Sequence, residues 1–288
     1  MLALLPDPDG AAGGARPHRF ADPDADALRV LDLGVTRGDG VFETMGVHGG
    51  RAQAVDAHLN RLARSASLLE LPQPDREAWA AATIAVAERL PADREAYVKL
   101  VYTRGVEGTG RPTGWVLGEP SPDHTAARTA GIGVAVLDRG YAHDVSGTAP
   151  WLLQGAKTLS YAVNRAAVRE AQRRGADDVL FISSDGYLLE GATSSLLLRI
   201  GDRLVTPSTS LGILAGTTQA DAFRFGRARE LTTSYELLKR DALDGADGLW
   251  LLSSVRNAAP VRAVDGADRP IDAAFTAELN AFLLGRRD

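Results

Sequence analysis

The 288-residue chain has no cysteine. That excludes disulfides, zinc–thiolate centres and cysteine nucleophiles, and fits a cytoplasmic setting. Long hydrophobic runs are missing too. No stretch approaches the roughly 20 apolar residues that span a bilayer. The opening MLALLPDPDG is too short, and lacks the basic flank, for a secretory leader. No membrane partner is expected. The net charge of −5 comes without a basic stripe, which argues against nucleic acid. The five histidines are scattered without ligand spacing, so no metal site is expected. GxSxG, HExxH, GxxxxGK[ST] and a strand–helix GxGxxG are all absent.

Lysine is scarce as well. Of 32 basic residues only Lys99, Lys157 and Lys239 are lysines; the rest are arginines. Arginine stays protonated and forms no Schiff base, whereas its surroundings can deprotonate a lysine amine. Each remaining lysine therefore draws notice.

What is present is ordinary core-building material. With 45% hydrophobic and 24% charged residues, the chain can form one large domain or two smaller ones. Residues 1–27 read as a loose lead-in. ALRVLDLG (27–34) and GVFETMGV read as strands, with a hairpin at Gly49-Gly50. Asp56 is the expected N-cap of a helix whose inner face carries Leu59, Leu62, Ala63, Ala66 and Leu69. A helix near 75–90, a strand at 97–103, a glycine-rich loop and a strand at 131–138 follow. The polar, Gly/Pro-containing text of 139–155 marks an interdomain connection. The expected division is thus 1–138, a link at 139–155, and 156–288.

In the second half, a helix in SYAVNRAAVREAQRRG stops at Gly175. Strands DVLFIS and SSLLLRI flank a turn at Asp185-Gly186 and the segment YLLEGAT. A hairpin at Gly201-Asp202, the helix GTTQADAFRFGRAR, a strand near 231–235, a short helix near 239–243, the strand GLWLLSS and a terminal helix complete an α+β pattern.

One constellation carries chemistry. Lys157 stands just ahead of a helix, and Glu190 just beyond a strand. Gly216, Thr217 and Thr218 open a helix, where free N–H groups favour a phosphate. Arg61 lies mid-helix and could add a charged fork. An amine, an acid for a pyridine nitrogen and a phosphate cup make up the inventory of a pyridoxal-phosphate site. Read singly, each has a plainer account: a solvated lysine, a turn acid, the exposed side of an amphipathic helix, and helix caps.

Six segments resemble the fold-type IV (class IV aminotransferase) family in its own order: RGDGVFET (37–44), HLNRLARSA (58–66), KTLSYAVNRAA (157–167), GADDVLFISSDGYLLEGATSSLLL (175–198), TPSTSLGILAGTT (206–218) and WLLSSVRNAAPV (250–261). The resemblance runs from about residue 30 to the end. It implies a D-amino acid aminotransferase-like fold, with an N-terminal α/β sandwich domain, a C-terminal pseudo-barrel domain, and a homodimer acting on a small molecule. It implies that Lys157 holds pyridoxal 5′-phosphate as a Schiff base and shuttles the proton. Glu190 would keep the pyridine nitrogen protonated, and Arg61, Thr217 and Thr218 would grip the phosphate. Tyr161, four residues after Lys157 and so on one helix face with it, would meet the ring hydroxyl. Thr193, Ser194, Gly216 and Ser254 would complete the cofactor's surroundings. Many members carry Ser-Asn where this chain has Ser194-Ser195.

Within the family, the loop Arg104-Gly-Val-Glu-Gly-Thr-Gly-Arg111 lacks the RxH pair of D-amino acid enzymes. With SSVRNAAP it looks more like the 4-amino-4-deoxychorismate lyases, particularly the actinobacterial type. Glu43, where some bacterial lyases carry threonine, departs from that pattern. The resemblance therefore leaves two activities open, a lyase releasing pyruvate and 4-aminobenzoate for folate synthesis and an aminotransferase, beside a cofactor-binding protein without turnover. Arg104, Arg111, Arg256 and Glu43 are the candidate substrate contacts.

Overall fold

The computed structural model describes residues 1–5 and 17–286. The described chain forms two compact units: residues 1–123 with 156–161, and residues 124–155 with 162–286.

The first unit contains β1 (Leu2–Leu4), β2 (Arg19–Ala21), α1 (Leu33–Arg37), β3 (Gly40–His48), β4 (Arg51–Ala52), α2 (Val55–Leu68), α3 (Arg76–Ala87), β5 (Ala96–Thr103) and β6 (Thr113–Pro120). Its six-stranded antiparallel sheet runs β2-β1-β6-β5-β3-β4. Side chains alternate across a strand. Val41, Met45, Val98, Leu100 and Val116 share one face and are fully buried, as are Leu62, Ala66 and Trp79 of the two long helices. Phe42, Thr44, Lys99 and Val101 take the other face. Gly40 is required where it stands, because a Cβ there would press on the Tyr102 carbonyl and the Leu159 side chain.

Two expectations fail in this unit. The strand at 27–34 is replaced by exposed chain and then α1, whose N-cap Asp32 accepts from the Gly34 N–H at 2.8 Å and whose C-cap Gly38 has φ of 68°. Local capping chemistry outweighs the β-branched composition. Asp56 is not the N-cap of α2. Ala54, with φ of 52°, takes that position, and Asp56 lies in the first turn, where its charge suits the helix dipole. Strands β1 and β2 fall within the expected loose lead-in, of which residues 6–16 lie outside the described residues.

The second unit contains α4 (Thr125–Thr129), β7 (Ile132–Asp138), α5 (Val145–Thr148), α6 (Ala162–Arg173), β8 (Asp178–Ile182), β9 (Leu188–Gly191), β10 (Ser195–Ile200), β11 (Arg203–Pro207), α7 (Thr217–Arg227), β12 (Thr232–Glu236), β13 (Gly248–Ser253), β14 (Asn257–Val264), β15 (Ala267–Asp268) and α8 (Ala273–Leu284). Its sheet runs β12-β11-β10-β13-β14-β7-β8-β9, with β15 on β14. Alternation along β10 and β13 feeds two cores. Leu196, Leu198, Leu249 and Leu251 enter one, and Leu197, Trp250 and Leu252 meet Phe225 of α7 and Leu279 of α8 in the other.

The fold is α+β, as expected, but the units divide elsewhere than at 138. β7 pairs in parallel with β14 and β8, so it belongs with the second sheet. Residues 156–161 join the first unit because they extend its sheet: the Phe42 N–H donates to the Lys157 carbonyl at 3.0 Å and the Leu159 N–H to the Gly40 carbonyl at 2.8 Å.

Candidate active site

Lys157 is held in the first unit by its own backbone. Its carbonyl accepts from Phe42 of β3, and its N–H donates to Ser65 Oγ of α2 at 3.1 Å. Its Nζ lies over the Phe42 ring, 4.4 Å from the centroid, and Tyr161 meets the same ring edge-on at 5.3 Å. The shared helix face expected for Lys157 and Tyr161 does not exist, because α6 begins only at Ala162. The aromatic ring of Phe42 brings the two together instead.

Residues 58, 61 and 65 of α2 form one stripe at i, i+3 and i+7. Ser65 serves Lys157, while His58 and Arg61 close on Glu43, which is fully buried. Arg61 donates from Nε to Oε1 and from Nη2 to Oε2, both at 2.7 Å. His58 Nδ1 lies 2.7 Å from Oε2; since an ionised carboxylate only accepts, this nitrogen carries the proton. Burial alone would push the Glu43 carboxyl up, but the charge and hydrogen bonds of Arg61, joined by His58, hold it far below the usual range. Burial, more than any neighbour, keeps His58 neutral, opposing the pull of Glu43. Arg61 is thus a buried, paired charge, not the exposed side of an amphipathic helix.

The second unit holds the other candidates. Glu190, near the end of β9, accepts from the Leu214 N–H at 3.3 Å. Beyond it the chain turns tightly, the Gly191 N–H donating to the Ser194 carbonyl at 2.7 Å. Thr193 is exposed; Ser194 is buried, and its hydroxyl has no partner among the described residues. Helix α7 starts at Thr217, with Gly216 as an N-cap that offers no side-chain acceptor. The hydroxyls of Thr217 and Thr218 each lie 3.3 Å from Ser254 Oγ, which the β13–β14 turn delivers. Ser195 Oγ occupies the space that a Cβ on Gly216 would need.

A polar group beside Glu190 was not anticipated. Tyr141 donates to Gln154 at 2.5 Å and accepts from Arg139 Nε at 3.2 Å; Arg139 Nη2 donates to Asn164, and Asn164 to the Ala192 carbonyl. Burial first, then the charge of Glu190, raise the Tyr141 hydroxyl against the opposing effect of Arg139. These residues carry no motif; Arg139, Tyr141 and Gln154 come from loops and Asn164 from α6, and only the tertiary fold assembles them.

The expected substrate contacts fare differently. Arg104 is committed: it forks onto Asp39 at 2.6 and 3.2 Å and donates to the Leu69 carbonyl at 2.7 Å, tying the loop to the end of α2. Arg256 pairs with Asp178 at 2.8 Å. Glu43 points to α2, on the opposite sheet face from Phe42, and so is not presented to a substrate beside Lys157. Arg111 alone is exposed on its loop. Among the described residues no cluster could hold a metal ion, and no helix is long and apolar enough to cross a membrane.

The residues fit a phosphorylated pyridine cofactor. A buried hydroxyl without a partner lies just past an acid, three hydroxyls gather at an uncapped helix start, and a lysine is pinned through its backbone. Residues 40–264 match the family described as amino-transferase class IV. The chain is 43% identical over 258 residues, 86% of its length and 89% of the relative's, to a bifunctional aminodeoxychorismate lyase / D-amino acid transaminase of Mycobacterium tuberculosis. Its fold matches a fold IV-transaminase of Curtobacterium pusillum at a TM-score of 0.93 and 51% identity, covering 98% of this chain and 96% of that one. It also matches the PLP-bound form of a hypothetical aminotransferase from Mycobacterium tuberculosis, with a TM-score of 0.90, 39% identity and 99% of both chains covered. The chain therefore belongs to the class IV aminotransferase family.

Proposed function

We propose that this pyridoxal-phosphate enzyme acts as a 4-amino-4-deoxychorismate lyase, releasing pyruvate and 4-aminobenzoate, in a cytoplasmic homodimer. The observation that carries the cofactor chemistry is the two-sided backbone anchoring of Lys157. The lyase reading rests on the Arg104–Arg111 loop, which lacks an Arg-x-His grip, and on the likeness to a relative named for that activity. The same relative is also named for D-amino acid transamination, which makes that the second reading.

When bound, pyridoxal phosphate supplies an electron sink for the bonds broken at the carbon bearing the substrate amine. The chain's residues supply the rest. Lys157, held over Phe42, takes the proton from that carbon; the ring C–O bond to the enolpyruvyl group breaks, the substrate ring becomes aromatic, and the departing enolpyruvate takes up a proton to become pyruvate. Glu190 keeps a proton on the ring nitrogen. Thr217, Thr218, Ser254 and the first N–H groups of α7 receive the phosphate, with Arg61, oriented by Glu43, as its cation. Tyr161 is assigned to the ring hydroxyl, and Thr193 and Ser194 to the cofactor's surroundings. Val30, Leu31 and Val35, close along the chain and 56–77% exposed, are assigned to contact with a second copy of the chain.

The test is a parallel assay. Enzymatically generated aminodeoxychorismate should yield 4-aminobenzoate and pyruvate in equal amounts, while D-alanine and leucine with 2-oxoglutarate react slowly. Brisk keto-acid formation without 4-aminobenzoate would move the protein to the transaminases. Borohydride should trap the cofactor on the wild type and not on Lys157→Ala.

A further inference from the structure

With Arg104 and Arg256 engaged elsewhere and Arg111 exposed on its loop, a cation beside Lys157 must be sought again, and the second lysine offers it. Lys99 lies on β5 opposite Thr44 of β3, so its side chain shares a sheet face with Phe42. Its Nζ is 5.2 Å from the Phe42 centroid, and Lys157 Nζ is 4.4 Å from the same centroid. The two amines can be no farther apart than those distances together. Two of the chain's three lysines thus meet at one aromatic ring.

Lys99 is also uncommitted. It is half-buried, and among the described residues its ammonium has neither a hydrogen bond nor an ion pair. The acid diagonal to it across β6, Glu119, is taken by the Tyr97 hydroxyl at 2.5 Å. A surface lysine normally extends its ammonium into water. Lys99 instead keeps its charge against the ring that carries Lys157. A partly desolvated ammonium without a counter-ion gains from an anion more than a solvated one does.

We propose that Lys99 is a substrate-binding residue that pairs with a carboxylate of the substrate, holding it beside the Lys157 amine. The ligand class is an organic acid with its reacting centre near the carboxylate, as distinct from a simple amine. This rests on Lys157 being the reacting amine, as proposed above. No covalent step is added.

The test is a cycle between the side chain and the ligand's charge, read by calorimetry on cofactor-loaded protein. 4-Aminobenzoate and its methyl ester are titrated into the wild type, Lys99→Met and Lys99→Arg. The wild type should prefer the acid by about ten- to a hundredfold, the worth of a charged hydrogen bond. Lys99→Met should lose that preference with ester binding unchanged, and Lys99→Arg should recover most of it. Unchanged melting temperatures and unchanged visible absorbance establish that fold and cofactor are intact. A wild type indifferent to the ligand's charge, or a Lys99→Met protein that retains the full preference, overturns the assignment. Failure of the underlying reading has a different signature: a wild type that takes up no cofactor and traps none on borohydride reduction.

Discussion

The two units prepare their candidate residues in opposite ways. In the first, the buried charge of Glu43 is matched within the protein by Arg61 and His58, Lys157 is fixed by its backbone, and only Lys99 beside it lacks a counter-ion among the described residues. In the second, Ser194 and Gln219 keep buried polar atoms without partners among the described residues, against Thr83 alone of the buried helix residues in the first, and α7 begins without a side-chain cap. Buried polar groups are normally satisfied, so such atoms mark a place completed by something else. The difference teaches that one unit invests in rigidity and the other in reception. Changes in the Glu43 cluster should therefore be read mainly as stability, and changes at Glu190 and the hydroxyl cup mainly as cofactor affinity and rate.

Glu43→Ala should have the largest effect. It strands the Arg61 charge in the core, and breaking a buried pair from one side costs about 3–5 kcal/mol. Denaturant unfolding should show the loss even before cofactor is added; a change under about 1 kcal/mol would mean that solvent reaches Arg61. The same cluster sets an acid limit. His58 binds a proton more weakly in the folded chain than its ordinary 6.5, so its contribution is present above that value and fades as pH falls below it. Glu43, also depressed, adds a second loss below its ordinary 4.5. Unfolding midpoints measured against pH should decline in that order, and His58→Gln should flatten the first part only. A steeper decline between pH 6.5 and 4.5 in that variant would overturn the neutral assignment of His58.

Glu190→Gln belongs to the other class. Stability and cofactor content should hold, while turnover drops by the worth of a charged hydrogen bond, about 1.5–3 kcal/mol. Stopped-flow rates on fully loaded protein check this, and a near-normal rate would assign the ring nitrogen to a different acid. The smallest effect is expected at the hydroxyl cup. Ser254→Ala should weaken pyridoxal phosphate by about 0.5–1.5 kcal/mol, yet leave unphosphorylated pyridoxal unaffected in equilibrium dialysis. Equal losses for both would detach the cup from the phosphate.

Much of this molecule was legible along the chain. Short apolar segments bounded by turn residues identified β3, β5, β10 and β13, and apolar spacing identified α2, because those patterns depend on residues a few positions apart. Lys157 stood out by amino-acid economy, and the threonines at 217 and 218 by their place at a helix start. The failures were of another kind. Strand β14 hid in NAAPVRAV, a segment of little β propensity that pairs because β13 and β7 flank it. Arg104 and Arg256 read as available cations until Asp39 and Asp178 were found against them, 65 and 78 positions away.

By itself, then, the sequence determined the periodic elements, the scarcity of lysine and the order of its motifs, all properties of neighbours along the chain. Tertiary structure decided which charges are spent and which are spare. Glu43 became an internal counter-ion, Tyr161 met Lys157 through Phe42 and not through a helix, and Lys99 came to share that ring. The reason is physical: pairing and desolvation depend on distances of a few ångströms through space, and those are set only when strands far apart in sequence take up their register.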